Sequence, residues 1–90
     1  MDIIRRRYTF YGRVQGVGFR YRAYYAAREF DIAGWVKNEY DGSVVMEVQG
    51  TRENIDSMLQ SIENGRFVSI DNFLCHSVPT EEGSTFEIIG

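Results

Sequence analysis

The chain has 90 residues, 43% of them hydrophobic and 26% charged, with a formal net charge of −3. That length and balance predict one globular domain over residues 1–90, built around one hydrophobic core. A single cysteine, Cys75, excludes an internal disulfide and a thiolate-rich metal cluster. With no apolar run long enough for a signal segment or a membrane span, the expectation is a cytoplasmic protein with no membrane partner.

The charge is unevenly placed. Residues 1–28 hold seven arginines against one acid, a net +6, and the rest of the chain carries a net −9. A basic first third on an acidic body points to a local anion site and away from the broad positive face that duplex nucleic acid requires. Arg5, Arg6, Arg7 and Arg28 are expected as solvated surface charges.

From Arg6 to Val14 the residues Tyr8, Phe10, Gly12 and Val14 alternate with Arg7, Thr9, Tyr11 and Arg13, the period of a half-buried strand. The period then lengthens. Phe19, Ala23, Ala26, Ala27 and Phe30 share one helical face, which predicts a helix over about Arg20 to Phe30. "AGWVKNEYDGSVVMEVQG" holds two further strands joined at Asp41-Gly42, where glycine accepts a positive φ without penalty. Thr51 stands at an N-cap position, Glu53 suits the positive dipole end, and Ile55, Met58, Leu59 and Ile62 form the stripe of a second helix closing at Asn64-Gly65. "FVSIDNFLCHSV" is a strand whose alternation slips near Asp71-Asn72, which predicts a bulge. Pro79 ends that run, "TEEGS" forms a polar loop, and "TFEII" adds a short last strand.

Two helices of this length cover one face of an antiparallel sheet. The predicted fold is therefore an α+β two-layer sandwich of the split βαβ kind, with a short C-terminal strand added.

The stretch "GRVQGVGFR", Gly12 to Arg20, is the one that does not read as core. Gly16 and Gly18 let successive backbone N–H groups turn toward one point, the following helix N-terminus adds unpaired donors, and Arg20 supplies a full charge in a planar fork that matches phosphate oxygens. Glycines at a strand-to-helix turn also serve backbone geometry alone; the arginine directly after them favours an anion. No Gly-Lys-Ser/Thr follows, which excludes the nucleotide loop of P-loop enzymes. The spacing and parallel βαβ context of a dinucleotide fingerprint are missing as well.

"GRVQGVGFR" followed by "GWVKN" and "DGSV" closely resembles the acylphosphatase family, over essentially the whole chain to the "FEI" of the tail. The chain departs from the family after the second helix, where members often carry a Gly-Pro or Gly-Ser-Pro turn and this sequence reads "ENGRFVSIDNF", with no proline. The resemblance implies a ferredoxin-like sandwich and a hydrolase that needs no cofactor or metal. Its substrates are small acyl phosphates, its products a carboxylate and inorganic phosphate. It further implies that Gln15, Gly16, Val17, Gly18, Phe19 and Arg20 bind the substrate phosphate, and that Arg20 and Asn38 are catalytic. By the same resemblance Asn38 matches the family's water-orienting asparagine.

An acyl phosphate is already activated, so such a site needs grip, charge stabilisation and a placed water more than a strong nucleophile. The competing readings are a non-catalytic phosphate- or carbamoyl-phosphate-binding module of the same fold, and a nucleic-acid-binding sandwich. The acidic body and the lack of aromatics at the spacing such strands use disfavour nucleic acid. The chain is expected as a monomer.

Cys75 beside His76 invites a nucleophile-and-base pair, but neighbours on a strand point to opposite faces. Cys75 is expected to pack and His76 to lie partly exposed. Tyr21, Tyr24 and Tyr25 are expected to serve helix surface or packing, Asp41 the turn, and Trp35 to anchor its strand.

Overall fold

The computed structural model describes residues 2–90. The chain order is β1 (Ile4–Arg13), α1 (Phe19–Glu29), β2 (Ala33–Asn38), β3 (Val44–Gly50), α2 (Arg52–Glu63), β4 (Ser69–Val78) and β5 (Phe86–Ile88). The five strands form one sheet in the order β4-β1-β3-β2-β5, and both helices cover the same face of it.

That face is built from alternation. Tyr8 and Phe10 of β1, Val36 of β2, and Val44, Met46 and Val48 of β3 are buried against Phe19, Ala23, Ala26 and Ala27 of α1 and Ile55, Met58 and Ile62 of α2. The run of alanines lets α1 lie close to the sheet, while α2 fills the space with larger side chains. Thr51 caps α2 as its position predicts, its hydroxyl accepting from the Asn54 N–H at 3.2 Å. Thr51→Ala is expected to lower stability by about 1 kcal/mol, read as a small fall in the urea midpoint.

The four longer strands pair antiparallel, and the added C-terminal strand β5 runs parallel to β2, pairing Gly34 with Phe86 and Val36 with Ile88. The cause is topological. β4 lies at the far edge beside β1 and runs opposite to β2, so a chain that turns back once after β4 enters the β2 edge running with β2. Gln49 anchors the crossing segment, its Nε2 donating to the Glu81 carbonyl at 2.8 Å and its Oε1 accepting from the Glu81 N–H at 2.9 Å.

The bulge falls where the alternation slips. Tyr11 pairs with Asn72 and Gly12 with Ile70, leaving Asp71 over. Gly12 has φ +126°, and a Cβ there would lie 2.4 Å from the Ser69 carbonyl oxygen, so this position admits only glycine. Beyond the bulge Phe73 turns to the helix side, its ring 6.1 Å from Tyr8 and 6.2 Å from Phe10.

Two expectations about side chains are corrected. Cys75 is exposed, not packed: it faces the helix side opposite Tyr8, but β4 is an edge strand and the helices do not reach over it. Arg5 is buried, not solvated. Its Nε donates to Glu47 Oε1 at 2.6 Å while Arg7 donates to Oε2 at 2.9 Å, and Glu47 is itself 5% exposed. On the helix-free face Trp35 screens this group, with Arg7 and Lys37 lying over its ring at 5.4 and 5.8 Å. Arg6 reaches the Tyr8 hydroxyl, and Arg28 is exposed beside Tyr24. Tyr21 and Tyr25 are surface residues of α1. No described helix is long and apolar enough to cross a membrane.

Candidate active site

β1, β2 and β5 all end on the same side of the sheet, and the loop from β1 into α1 lies there. Val14 and Phe19 are buried at 1% and 2% exposure, and the Phe19 ring packs 5.3 Å from Phe10. The loop is therefore pinned at both ends by apolar side chains, with its glycines held outward between them. Gly16 and Gly18 have φ of +72° and +80°, and a Cβ at either would meet nothing within 4 Å. Glycine is needed here for the left-handed backbone and not for space, and alternation into that region is how successive N–H groups come to share one concavity.

Gly18 is also the N-cap of α1, with no side chain to accept from the first turn, and that turn contains no acid. The first intrahelical bond from beyond it is Arg22 N–H to the Gly18 carbonyl at 3.0 Å. The N–H groups of Phe19, Arg20 and Tyr21 are thus left with the positive end of the helix dipole and no side-chain cap. Arg20 projects from this turn, half-buried, with Nη1 donating to the Gly90 main-chain oxygen at 2.6 Å.

Asn38 closes β2. Its backbone N–H donates to that same Gly90 oxygen at 3.0 Å, so one main-chain oxygen ties Arg20 and Asn38 together. The Asn38 Oδ1 is buried and accepts no hydrogen bond from any described group. An unpaired buried acceptor costs about 1–3 kcal/mol, which makes it an unusual feature for a residue with only a structural part. The adjoining hairpin is braced by Asp41, whose Oδ1 accepts from the Ser43 N–H at 2.9 Å and hydroxyl at 2.6 Å. Those two donors, the hydroxyl first, hold the Asp41 carboxyl below the usual carboxylate range.

Residues 15–20 are contiguous in the loop, and the Gly90 main-chain oxygen lies between Arg20 and Asn38. Phe19 enters only through its backbone, since its ring belongs to the core, and the side chain of Gln15 turns away to the hairpin. Gly90 had no signal in the sequence: its place depends on the parallel pairing of β5. Cys75 and His76 sit on β4, opposite Tyr8 and Arg7 respectively, outside this group. Among the described residues no cluster of three or more His, Cys, Asp or Glu could hold a metal ion.

Comparison with known proteins places the chain in a family. The family model described as Acylphosphatase matches residues 6–88. An acylphosphatase of Clostridium acetobutylicum is 41% identical over 80 residues, covering 87% of this chain and 88% of that protein. One from Oceanobacillus iheyensis is 56% identical over 54 residues, covering 60% of this chain and 59% of that protein. The crystal structure of acylphosphatase from Bacillus subtilis superposes with a TM-score of 0.86 at 34% identity, covering 97% of this chain and 99% of that one. The chain belongs to the acylphosphatase family, and its activity is that of an acylphosphatase, the hydrolysis of acyl phosphates to a carboxylate and inorganic phosphate.

Proposed function

We propose that the backbone N–H groups from Gln15 to Phe19 and the guanidinium of Arg20 hold the phosphoryl group of a small acyl phosphate, while the Asn38 carboxamide orients the attacking water. The observation that carries this reading is the buried, unpartnered Asn38 Oδ1. A carbonyl oxygen accepts, so it suits an O–H donor arriving with the reaction and fixes the direction in which that water's lone pair points. Attack on phosphorus in line with the acyl oxygen breaks the P–O bond, the carboxylate leaves with the bonding pair, and the water's proton passes to a phosphate oxygen. Charge redistributing over the equatorial oxygens meets donors already aimed at it. Asparagine is too weak a base to take the proton, and this route does not ask it to.

Asn38→Ala is expected to lower kcat for acetyl phosphate by about 10²- to 10³-fold, as for the loss of one positioned polar group. Inhibition by inorganic phosphate should stay close to wild type, because the cradle is untouched. Turnover at the wild-type rate in that variant overturns the role of Asn38. The same assay run with excess chelator is expected to be unaffected, which tests the metal-free route. Within this reading residues 1–90 act as one domain and as a monomer in the cytoplasm. The lone cysteine, free and exposed, suits a reducing compartment.

A further inference from the structure

The Gln15 side chain makes contacts that an anion cradle does not require of it. It leaves the loop and reaches the β2–β3 hairpin, where Nε2 donates to the Glu39 carbonyl at 2.7 Å and to the Ser43 carbonyl at 2.9 Å. Both protons of that nitrogen are used, and a pair of carbonyl acceptors decides which end of the carboxamide faces the hairpin. The acceptors are themselves fixed. The Glu39 carbonyl also accepts from the Gly42 N–H at 3.2 Å, the Ser43 carbonyl from the Glu39 N–H at 2.9 Å, and Asp41 holds Ser43 from the other side. The carboxamide thus staples the residue before Gly16 to the residue after Asn38.

We infer that Gln15 is a positioning residue for the reaction, setting the separation between the phosphate cradle and the Asn38 carboxamide; the inference rests on the roles proposed above for those two parts. The loop needs such a tie. Its anchors Val14 and Phe19 fasten it to the side of β1 and α1, whereas Asn38 is on β2, and β3 lies between β1 and β2. Gly16 and Gly18 bring no side-chain contact of their own. The Gln15 staple is a second path across that gap, beside the Gly90 oxygen that Arg20 and Asn38 share. In-line attack is sensitive to this distance, since a misplacement of about 1 Å at the reacting centre costs about 10²-fold.

The test is a mutant cycle with acetyl phosphate as substrate and inorganic phosphate as competitive inhibitor. Gln15→Ala keeps the backbone N–H and removes only the staple. It is expected to lower kcat about 10- to 100-fold while leaving inhibition by phosphate little changed. Gln15→Met, which keeps the length of the side chain without its donors, should do the same, and melting curves above the assay temperature show that both variants are folded. Because Gln15 acts through Asn38, the Q15A/N38A double variant should be no slower than N38A alone. Wild-type kcat in both Gln15 variants, or losses that multiply in the double variant, overturns the inference. The two levels separate cleanly. A slow N38A with a normal Q15A removes the staple alone, whereas a normal N38A removes the water-orienting role and the staple with it.

Discussion

Arg20→Ala is expected to lower kcat/KM for acetyl phosphate by at least about 10³-fold and to abolish binding of inorganic phosphate, the scale on which a transition-state arginine acts in phosphoryl transfer. The reason lies in what remains. Without the guanidinium the cradle consists of backbone dipoles and one helix N-terminus, equivalent to about half a charge, set against a group carrying up to two. Neighbouring arginines are poor replacements. Arg22 is committed to α2, its Nη2 donating to the Ser61 carbonyl at 2.9 Å, and Arg5 and Arg7 are held by Glu47 on the helix-free face of the sheet.

Arg20 is also pre-set. With Nη1 on the Gly90 main-chain oxygen, its remaining donors are available to an oxyanion without a search over rotamers. Arg20→Lys restores the charge but not the planar fork, so it should recover only part of the loss. Calorimetric titration with phosphate beside a steady-state assay decides the matter: wild-type phosphate affinity in Arg20→Ala would mean that the backbone alone forms the receptor.

How far the site was legible in the sequence depends on how local each signal is. The glycines and Arg20 lie within nine consecutive residues, and their chemistry follows from the loop itself. The α2 helix was equally plain, since its cap, stripe and stop all lie within it. Asn38 was visible only through resemblance, because an asparagine at a strand end reads as a turn residue until its oxygen is found buried and unpaired.

Gly90 was not legible at all. Its contact with Arg20 spans 70 residues and exists because β5 pairs parallel to β2, a choice made by the crossing from the opposite edge of the sheet. Cys75 misled for the same reason: alternation places it on the helix side, but only strand order tells that β4 is an uncovered edge. Arg5 shows the limit most sharply. Three arginines in a row read as surface charge, and the carboxylate that buries one of them lies 42 residues away.

That carboxylate gives the largest expected loss of stability. Glu47 occupies β3 opposite Arg7 on one side and Trp35 on the other, and its two oxygens serve Arg5 and Arg7 separately. Glu47→Ala leaves the Arg5 guanidinium, on a residue 6% exposed, with Gln49 Oε1 at 3.2 Å and the solvated Glu81 carboxylate at 3.6 Å. An uncompensated buried charge costs about 3–5 kcal/mol, and the partial relief from Glu81 places the expected loss near the lower end. Against a total of about 5–15 kcal/mol for a domain, the urea midpoint should fall by a large fraction.

Arg7→Ala supplies the contrast. Its side chain is half exposed, and such a pair contributes about 0–1 kcal/mol, so a small shift is expected there. Replacing Arg5 and Glu47 together by apolar residues of similar volume should recover much of what Glu47→Ala loses, because no charge is then left buried alone. If Glu47→Ala and Arg7→Ala shift the midpoint equally, the group is solvent-compensated and Arg5 belongs with the surface charges after all. Where Glu47→Ala remains folded its kcat should be that of wild type, since the Glu47 carboxylate bonds Arg5 and Arg7 and neither residues 15–20 nor Asn38.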